Sequence, residues 1–213
     1  MKNNKKLVVI SVVAFVLIFF GATKAYKSYE ARRLGFLAKD NAELFVRKHS
    51  PTFGEADSKI YLIEFLDPEC ESCRSFYPKI KRLMKEYKGK VKLVVRYAPF
   101  HHNSKFAIQI LEASRKQGKY WETLELLFNY QSEWGSHHNP RPELIWDYLP
   151  EVGLNIEQIK NDMNDPKINE LIQQDIEDGK KLGVRRTPTF FVNGSPIEKF
   201  GLAYIKNAIE LVN

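Results

Sequence analysis

The sequence has very little cysteine, with two such residues among its 213. This scarcity excludes the class of small secreted proteins whose folds depend on several disulfides. Internal repeats are also lacking, and apart from one apolar run near the start there is no low-complexity segment. With 28% charged and 44% hydrophobic residues, the composition is that of a globular chain and not of a disordered one. A globular chain of this length supports one domain with a sizeable core.

Outside its first 25 residues, the chain lacks a large excess of either charge. Overall, 33 Lys and Arg residues stand against 26 Asp and Glu residues, a formal net charge of +7. Four of the lysines lie in the first 25 residues, which contain no acid, so the remainder has 29 basic and 26 acidic residues. This balance weighs against a nucleic-acid-binding protein, which needs a strongly basic surface. We therefore expect no nucleic-acid partner.

The long hydrophobic run follows a cluster of lysines at the start of the chain. Residues 7–22 are apolar apart from the small residues Ser11 and Gly21. Extended to residue 25 as a helix, the run approaches the ~30 Å thickness of a bilayer core. Because it is apolar on every face, it favours a transmembrane or signal helix over a buried core helix. We predict a signal-anchor or cleaved signal peptide at residues 1–25, with the membrane as a partner through residues 7–25.

The chain after residue 25 begins as a polar and charged stalk, which we assign to residues 26–57 with a short helix at 38–46. Residues 60–66 and 91–98 have strand patterns. Between them, apolar residues recur at helical spacing from Phe76 to Tyr87. Strand, helix and strand in this order predict a βαβ unit.

The second half of the chain begins with helical patterns and then returns to β structure. Residues 104–165 are predicted to be a helical insertion, and a further helix begins after Asp165-Pro166. Residues 189–192 are a short apolar run before Asn193-Gly194, which is a strong hairpin signal. The elements predicted after this turn are a return strand at 197–200 and a terminal helix at 202–212.

The two cysteines form a Cys-x-x-Cys motif, Cys70 and Cys73, where the helix of the βαβ unit begins. Unpaired N–H groups and the helix dipole at that end favour a thiolate, so we predict Cys70 as the nucleophile. Cys73 follows nearly one turn later and can close a disulfide with Cys70 or resolve a mixed disulfide. It should be the more buried of the two. Since the chain has no third cysteine, we expect the pair to act on other proteins.

Two alternatives for the cysteines stay open at this point. A structural disulfide is one, although it would enclose so short a loop that it adds little stability. A metal site is the other, because Cys-x-x-Cys supplies half of a tetrahedral zinc site and either His101-His102 or His137-His138 offers further ligands. With a metal site, the chain would be an envelope metal-binding protein or metallochaperone.

Three segments together carry a resemblance to a known family. Ile-Glu-Phe at 63–65 leads into Cys-Glu-Ser-Cys at 70–73, Gln-Gly-Lys-Tyr-Trp-Glu occupies 117–122, and Gly-Val-Arg-Arg-Thr-Pro-Thr-Phe-Phe-Val-Asn-Gly occupies 183–194. On these motifs, residues 58–213 resemble the DsbA-like branch of the thioredoxin superfamily. The resemblance implies an α/β thioredoxin fold with an inserted helical domain and a protein thiol-disulfide oxidoreductase activity.

The resemblance also implies roles for three residues outside the motif. Glu64 interrupts an apolar strand, and such an acid must be paired or have a raised pKa unless the strand lies at an edge and faces water. In the family a buried acid at this position moves a proton to and from the second cysteine, here Cys73. Thr187 and Pro188 match the loop that binds the substrate chain, whose proline is cis in the family, although sequence alone favours trans. Thr187 is then expected beside Cys70.

The chain departs from the family between its cysteines, where Glu71-Ser72 replaces the Pro-His typical of strongly oxidising members. Together with Asp67 and Glu69, Glu71 is expected to raise the pKa of Cys70 and oppose the helix dipole. This would make a weaker oxidant. Oxidase is our first expectation for the direction, and the isomerase and reductase directions stay open.

The resemblance finally implies a setting for the enzyme. Its substrates would be exported proteins, and its domain would face the periplasm or exterior, anchored to the bacterial cytoplasmic membrane or secreted after signal cleavage. No cofactor is expected, because the Cys70–Cys73 dithiol itself carries two electrons. A separate redox partner must recycle that dithiol.

Overall fold

The computed structural model of the chain describes residues 13–23, 42–136 and 138–213. Within these residues five strands form one sheet, in the order β1-β3-β2-β4-β5. The strands are β1 (Thr52–Phe53), β2 (Ile60–Leu66), β3 (Val91–Tyr97), β4 (Thr189–Val192) and β5 (Ser195–Pro196). Strands β2 and β3 are parallel, and the other neighbouring pairs are antiparallel.

Most of the described helices lie in one long block of the sequence between β3 and β4. Before the block come α1 (residues 13–23), α2 (Ala42–Phe45) and α3 (Glu71–Glu86). The block contains α4 (Ser104–Lys116), α5 (Tyr120–Asn129), α6 (Gln131–Trp134), α7 (Ile145–Tyr148), α8 (Ile156–Asp162) and α9 (Pro166–Lys181), with 3₁₀ turns at Pro142–Leu144 and Leu149–Val152. Helix α10 (Leu202–Val212) ends the chain. The predicted α/β architecture with inserted helices is confirmed.

Strand β2 occupies the centre of the sheet because it is apolar on both faces. Leu62 and Leu66 belong to the hydrophobic core on one face, and Ile63 and Phe65 belong to a second cluster. A strand covered on both sides has a nearly continuous apolar sequence, which is what residues 60–66 show. The first of these cores also contains both cysteines.

A buried ionic network joins α9 to the sheet. Arg96 of β3 is fully buried, and it donates hydrogen bonds to Asp175 at 2.8 Å and to Asp178 at 2.6 Å. Arg47, before β1, also donates to Asp178 at 2.8 and 2.9 Å. Buried charges are tolerated when they are paired and hydrogen-bonded, so the network holds α9 and residue 47 against β3. Hydrophobic periodicity did not predict this contact.

The predicted return strand at 197–200 is wrong. Asn193 and Gly194 form the predicted two-residue turn, both with positive φ, so Val192 pairs directly with Ser195. The strand therefore begins immediately after the turn and ends at Pro196, which has no N–H to donate to a ladder. Strand β1 was not predicted, because two residues are too few for a periodic pattern.

The predicted membrane segment is described in part. Helix α1 covers residues 13–23, and its large apolar side chains are exposed, with Phe15 at 72% and Ile18 at 69%. Among the described residues, no helix combines the length and apolarity needed to cross a membrane. Residues 1–12 and 24–41, and with them most of the predicted anchor and stalk, lie outside the described residues.

Candidate active site

Cys70 and Cys73 lie at the N-terminal end of α3. Cys70 is the N-cap residue of the helix, and Cys73 lies in its first turn. Both cysteines are free thiols in this structure. Cys73 is completely buried, whereas Cys70 keeps 6% of its surface exposed. Cys70 is therefore the cysteine that a partner can reach.

The surroundings of Cys70 favour its thiolate. A hydrogen bond from the Cys73 thiol contributes most. Together with hydrogen bonds from the Thr187 side chain and the backbone N–H groups of Cys73 and Ser72, it outweighs burial and lowers the pKa of Cys70 to about 5. The pKa of Cys73 is raised, because burial disfavours its charge and its proton is held in the hydrogen bond to Cys70. Near neutral pH one thiol is thus ionised and the other protonated.

The sequence set nearby acids, expected to raise the pKa of Cys70, against the helix dipole, and the net shift is downward. Glu69 is buried, and its carboxylate accepts hydrogen bonds from the backbone N–H of Asn103 at 2.6 Å and from the Asn103 side chain at 2.9 Å. Asp67 is likewise buried and fully engaged in hydrogen bonds. The interactions that lower the pKa of Cys70 are hydrogen bonds made directly to its sulfur, and they outweigh the effect of burial.

Asp67 pairs with His101 close to the cysteines. Its Oδ2 lies 2.7 Å from Nδ1 of His101 and also accepts the backbone N–H of Phe100 at 2.8 Å. The hydrogen bond with Asp67 raises the pKa of His101 more than partial burial lowers it, and the charge of Cys70 raises it further. Because the interaction of two charges is mutual, protonated His101 stabilises the Cys70 thiolate. From the sequence, His101 was considered as a possible metal ligand.

Glu64 lies in the central strand β2 and is 1% exposed. It is flanked in register by Val95 of β3 and Phe190 of β4, so it is not an edge-strand residue. Its Oε1 has no hydrogen-bond partner among the described residues. Burial, reinforced by the negative charge of Cys70, raises the pKa of Glu64 to about 8. The charge of Glu64 acts in turn on Cys73, whose pKa it raises.

The loop before β4 brings Thr187 and Pro188 to the cysteines from far along the chain. The peptide bond between them is cis. The Cys70 sulfur lies 3.3 Å from the Thr187 carbonyl oxygen, 117 positions away in the sequence, and donates a hydrogen bond to it when the thiol is protonated. The structure thus brings together Cys70, Cys73 and Thr187, as the resemblance implied.

Gln131 of α6 also positions the motif, and sequence reasoning missed it. Its Nε2 donates to the carbonyl oxygens of Pro68 at 2.7 Å and Cys70 at 3.1 Å, and the side chain is 1% exposed. Helix α6 has four residues, too few for a periodic signal. A single glutamine in such a segment carries no recognisable pattern.

A groove of about 310 Å³ opens beside Pro188. Phe190 and Phe200 line it, and Phe200 is 52% exposed. Arg185 and Arg186 also line it, and both are exposed. Its mixture of apolar and basic groups suits an extended polypeptide lying next to the reactive thiol.

The residues considered as metal ligands are not assembled into a site. Within the described part of the chain, no group of three or more His, Cys, Asp and Glu side chains is arranged to hold a metal ion. His101 instead bonds to Asp67 through Nδ1. His137 lies outside the described residues.

Comparison with known proteins places these features in a family. The sequence model of a family described as thioredoxin matches residues 47–210. The chain belongs to the thioredoxin family. Among solved structures, oxidised BdbD from Bacillus subtilis aligns with a TM-score of 0.69 and 26% identity, covering 79% of this chain and 96% of BdbD. The α-DsbA1 of Wolbachia pipientis aligns with a TM-score of 0.66 and 26% identity, covering 80% of this chain and 94% of that protein.

Sequence relatives include disulfide bond formation proteins and Na⁺/H⁺ antiporters. A probable disulfide bond formation protein D from Bacillus cereus is 28% identical over 205 residues, 92% of this chain and 91% of that protein. A Na⁺/H⁺ antiporter NhaA from Herminiimonas arsenicoxydans is 31% identical over 141 residues, which are 66% of this chain and 22% of the antiporter. The chain thus spans about a fifth of the antiporter's length. These comparisons confirm the predicted thioredoxin fold and the resemblance to the DsbA-like thiol-disulfide oxidoreductases.

Proposed function

We propose that the chain is a thiol-disulfide oxidoreductase that acts as an oxidase of exported proteins through Cys70 and Cys73. The observation that carries this proposal is the opposite shift of the two thiols, since the pKa of Cys70 falls to about 5 while that of Cys73 rises. A stabilised thiolate favours the reduced form and makes the corresponding disulfide a strong oxidant. The name of the Bacillus cereus relative, a probable disulfide bond formation protein, agrees with this direction.

The first step of the proposed reaction opens the enzyme's disulfide. A substrate thiolate attacks Sγ of Cys70, and the bond between Cys70 and Cys73 breaks as a mixed disulfide with the substrate forms. Cys73 leaves with the electron pair of that bond. Because burial disfavours its charge, Cys73 takes the proton of Glu64, whose pKa of about 8 leaves it largely protonated at neutral pH.

The second step releases the oxidised substrate. A second substrate thiolate attacks the substrate sulfur of the mixed disulfide, and Cys70 leaves as a thiolate held by hydrogen bonds from Cys73 and Thr187. Two electrons have then passed from the substrate dithiol to the enzyme. The dithiol needs no cofactor to carry them, and a separate redox partner must reoxidise it.

The reduction potential of the Cys70–Cys73 pair tests the direction of exchange. We expect a value close to the roughly −120 mV of strong disulfide donors when the purified protein is equilibrated with glutathione buffers. A value near about −270 mV would overturn the oxidase direction and assign the pair to reduction or isomerisation.

We infer that the domain works on the oxidising side of a bacterial cytoplasmic membrane, tethered through residues 7–25 or released by signal cleavage. The apolar run behind an N-terminal lysine cluster supports this setting, because disulfide formation belongs outside the reducing cytosol. The variant Cys73→Ser, which cannot resolve mixed disulfides, should accumulate covalent complexes with proteins that carry export signals. Complexes with cytosolic proteins alone would overturn the assignment.

A further inference from the structure

A second and larger groove, of about 640 Å³, lies between α3 and α5. It joins the helix that begins at the cysteine motif to a helix of the insertion. Tyr77 and Phe128 supply its apolar part, with ring centroids 5.2 Å apart. The reaction proposed above makes no use of this groove.

The groove is strongly basic. Arg74, Lys81, Arg82 and Lys85 line it, and Glu125 is the single acid in its lining. Glu125 is already paired with Lys81 at 2.8 Å. Within the described residues, no carboxylate forms an ion pair with Arg74, Arg82 or Lys85. Three cations therefore face the groove without compensation, which makes it attractive to negative charge.

These cations form a row along α3 that starts one helical turn after Cys70. The backbone N–H of Arg74 donates to the Cys70 carbonyl oxygen at 3.1 Å, so Arg74 lies one helical turn from Cys70. Arg82 and Lys85 continue along the same face of α3. At 1.5 Å per residue the row from Arg74 to Lys85 is roughly 16 Å long, about the length of five residues of extended chain.

We propose that this groove binds an acidic segment flanking the reactive cysteine of a partner protein. The proposal rests on the proposed function, since exchange at Cys70 is what brings the partner to the end of the row. A polypeptide matches the site better than a membrane surface, because the groove is concave and its first cation lies one helical turn from the cysteine that a partner sulfur must reach. Asp and Glu side chains supply the charge that complements its three unpaired cations.

Matched dithiol peptides test this proposal on the oxidised full-length protein. The peptides differ in the five residues beside one cysteine, which are acidic, amide or basic. We expect the acidic peptide to be oxidised about tenfold faster than the amide peptide at low ionic strength. The difference should shrink in about 1 M salt, which screens exposed charges.

Two double variants distinguish an effect of the groove on peptide preference from an effect of the protein's net charge. Arg82→Glu with Lys85→Glu should abolish or invert the preference for the acidic peptide. Lys88→Glu with Lys90→Glu makes the same change of net charge at exposed residues beyond α3 that do not line the groove, and it should keep the preference. Both variants should oxidise the uncharged thiol 2-mercaptoethanol at the wild-type rate, which shows that they are folded and active.

The outcomes distinguish this proposal from the proposed function. A wild-type protein that oxidises none of the peptides contradicts the oxidoreductase itself. Equal rates with all three peptides, or loss of the preference in the Lys88 and Lys90 variant, would overturn the proposal for the groove and leave the oxidoreductase activity standing. A further outcome is a wild-type protein that shows no peptide preference but binds anionic phospholipid vesicles, with that binding lost in the Arg82 and Lys85 variant. This result would overturn the peptide proposal and assign the groove to a membrane surface.

Discussion

At the scale of single residues, the candidate site depends on how hydrogen bonds compete with burial. Burial disfavours the charged form of Glu64, Cys70 and Cys73 alike. Cys70 differs because its sulfur receives hydrogen bonds from side-chain and backbone donors together, and these outweigh burial. The order of proton affinity follows, with Cys70 lowest and Cys73 highest, and Glu64 is suited to exchange a proton with Cys73.

Replacing Glu64 by Gln should remove a pH-dependent destabilisation of the reduced protein. Its pKa is raised from 4.5 to about 8, so wild-type stability falls as pH rises through this interval. We expect the stability of the Gln variant relative to wild type to grow by roughly 3 to 5 kcal/mol between about pH 4 and about pH 9. Urea unfolding at a series of pH values measures this. A difference independent of pH would contradict the raised pKa.

Replacing His101 by Asn should make Cys70 less acidic. Protonated His101, held by Asp67, stabilises the nearby thiolate, and the neutral amide of Asn has no such charge. We expect the pKa of Cys70 to rise by roughly half a unit to one unit, measured by the ultraviolet absorbance of the thiolate against pH. His102→Asn is the matched control, because His102 is adjacent and exposed. Equal shifts in both variants would show that His101 has no special role.

At the scale of elements, local sequence patterns predicted most strands and helices. How these elements pack against one another depends on contacts between distant residues. Strand β2 and helix α10 match their predicted limits, since their apolar residues have a clear period. The attachment of α9 to β3 is different in kind. It depends on Arg96 meeting Asp175 and Asp178, about 80 positions later in the chain, and no local pattern signals that meeting.

Replacing Arg96 by Met should destabilise the protein strongly. The change leaves Asp175 and Asp178 buried without their shared cation, and breaking a buried ion pair in this way costs about 3 to 5 kcal/mol. Urea unfolding of both proteins measures the loss. Lys116→Met is the control, because Lys116 also pairs with two aspartates but at the surface, and its effect should be much smaller. Similar losses in the two variants would contradict a stabilising role of the network.

At the scale of the whole molecule, the shifted thiol couples redox state to stability. The thiolate of Cys70 is stabilised in the folded protein and has no such environment in the unfolded chain. Forming the disulfide removes this stabilisation. The reduced protein is therefore the form that folding favours, which is the thermodynamic property of a disulfide donor.

The reduced protein should accordingly gain stability over the oxidised protein as pH rises. The pKa of Cys70 is lowered from 9.0 to about 5, so the gain is fully present above about pH 9 and is lost as pH falls towards about 5. Urea unfolding of both redox forms across this range measures the gain. An oxidised form whose relative stability increases with pH would contradict the lowered pKa and the oxidase direction with it.

The sequence by itself determined the order of elements, the Cys-x-x-Cys motif at a helix start and an acid in a buried strand, because these features depend on neighbouring residues. Only the tertiary structure placed Thr187 beside Cys70, 117 positions away, where its hydrogen bond adds to that of Cys73 in lowering the pKa of Cys70. It also decided that Asp67 pairs with His101 and that unpaired cations of α3 face a groove. Such contacts arise from packing between distant segments, which periodicity along the chain does not encode.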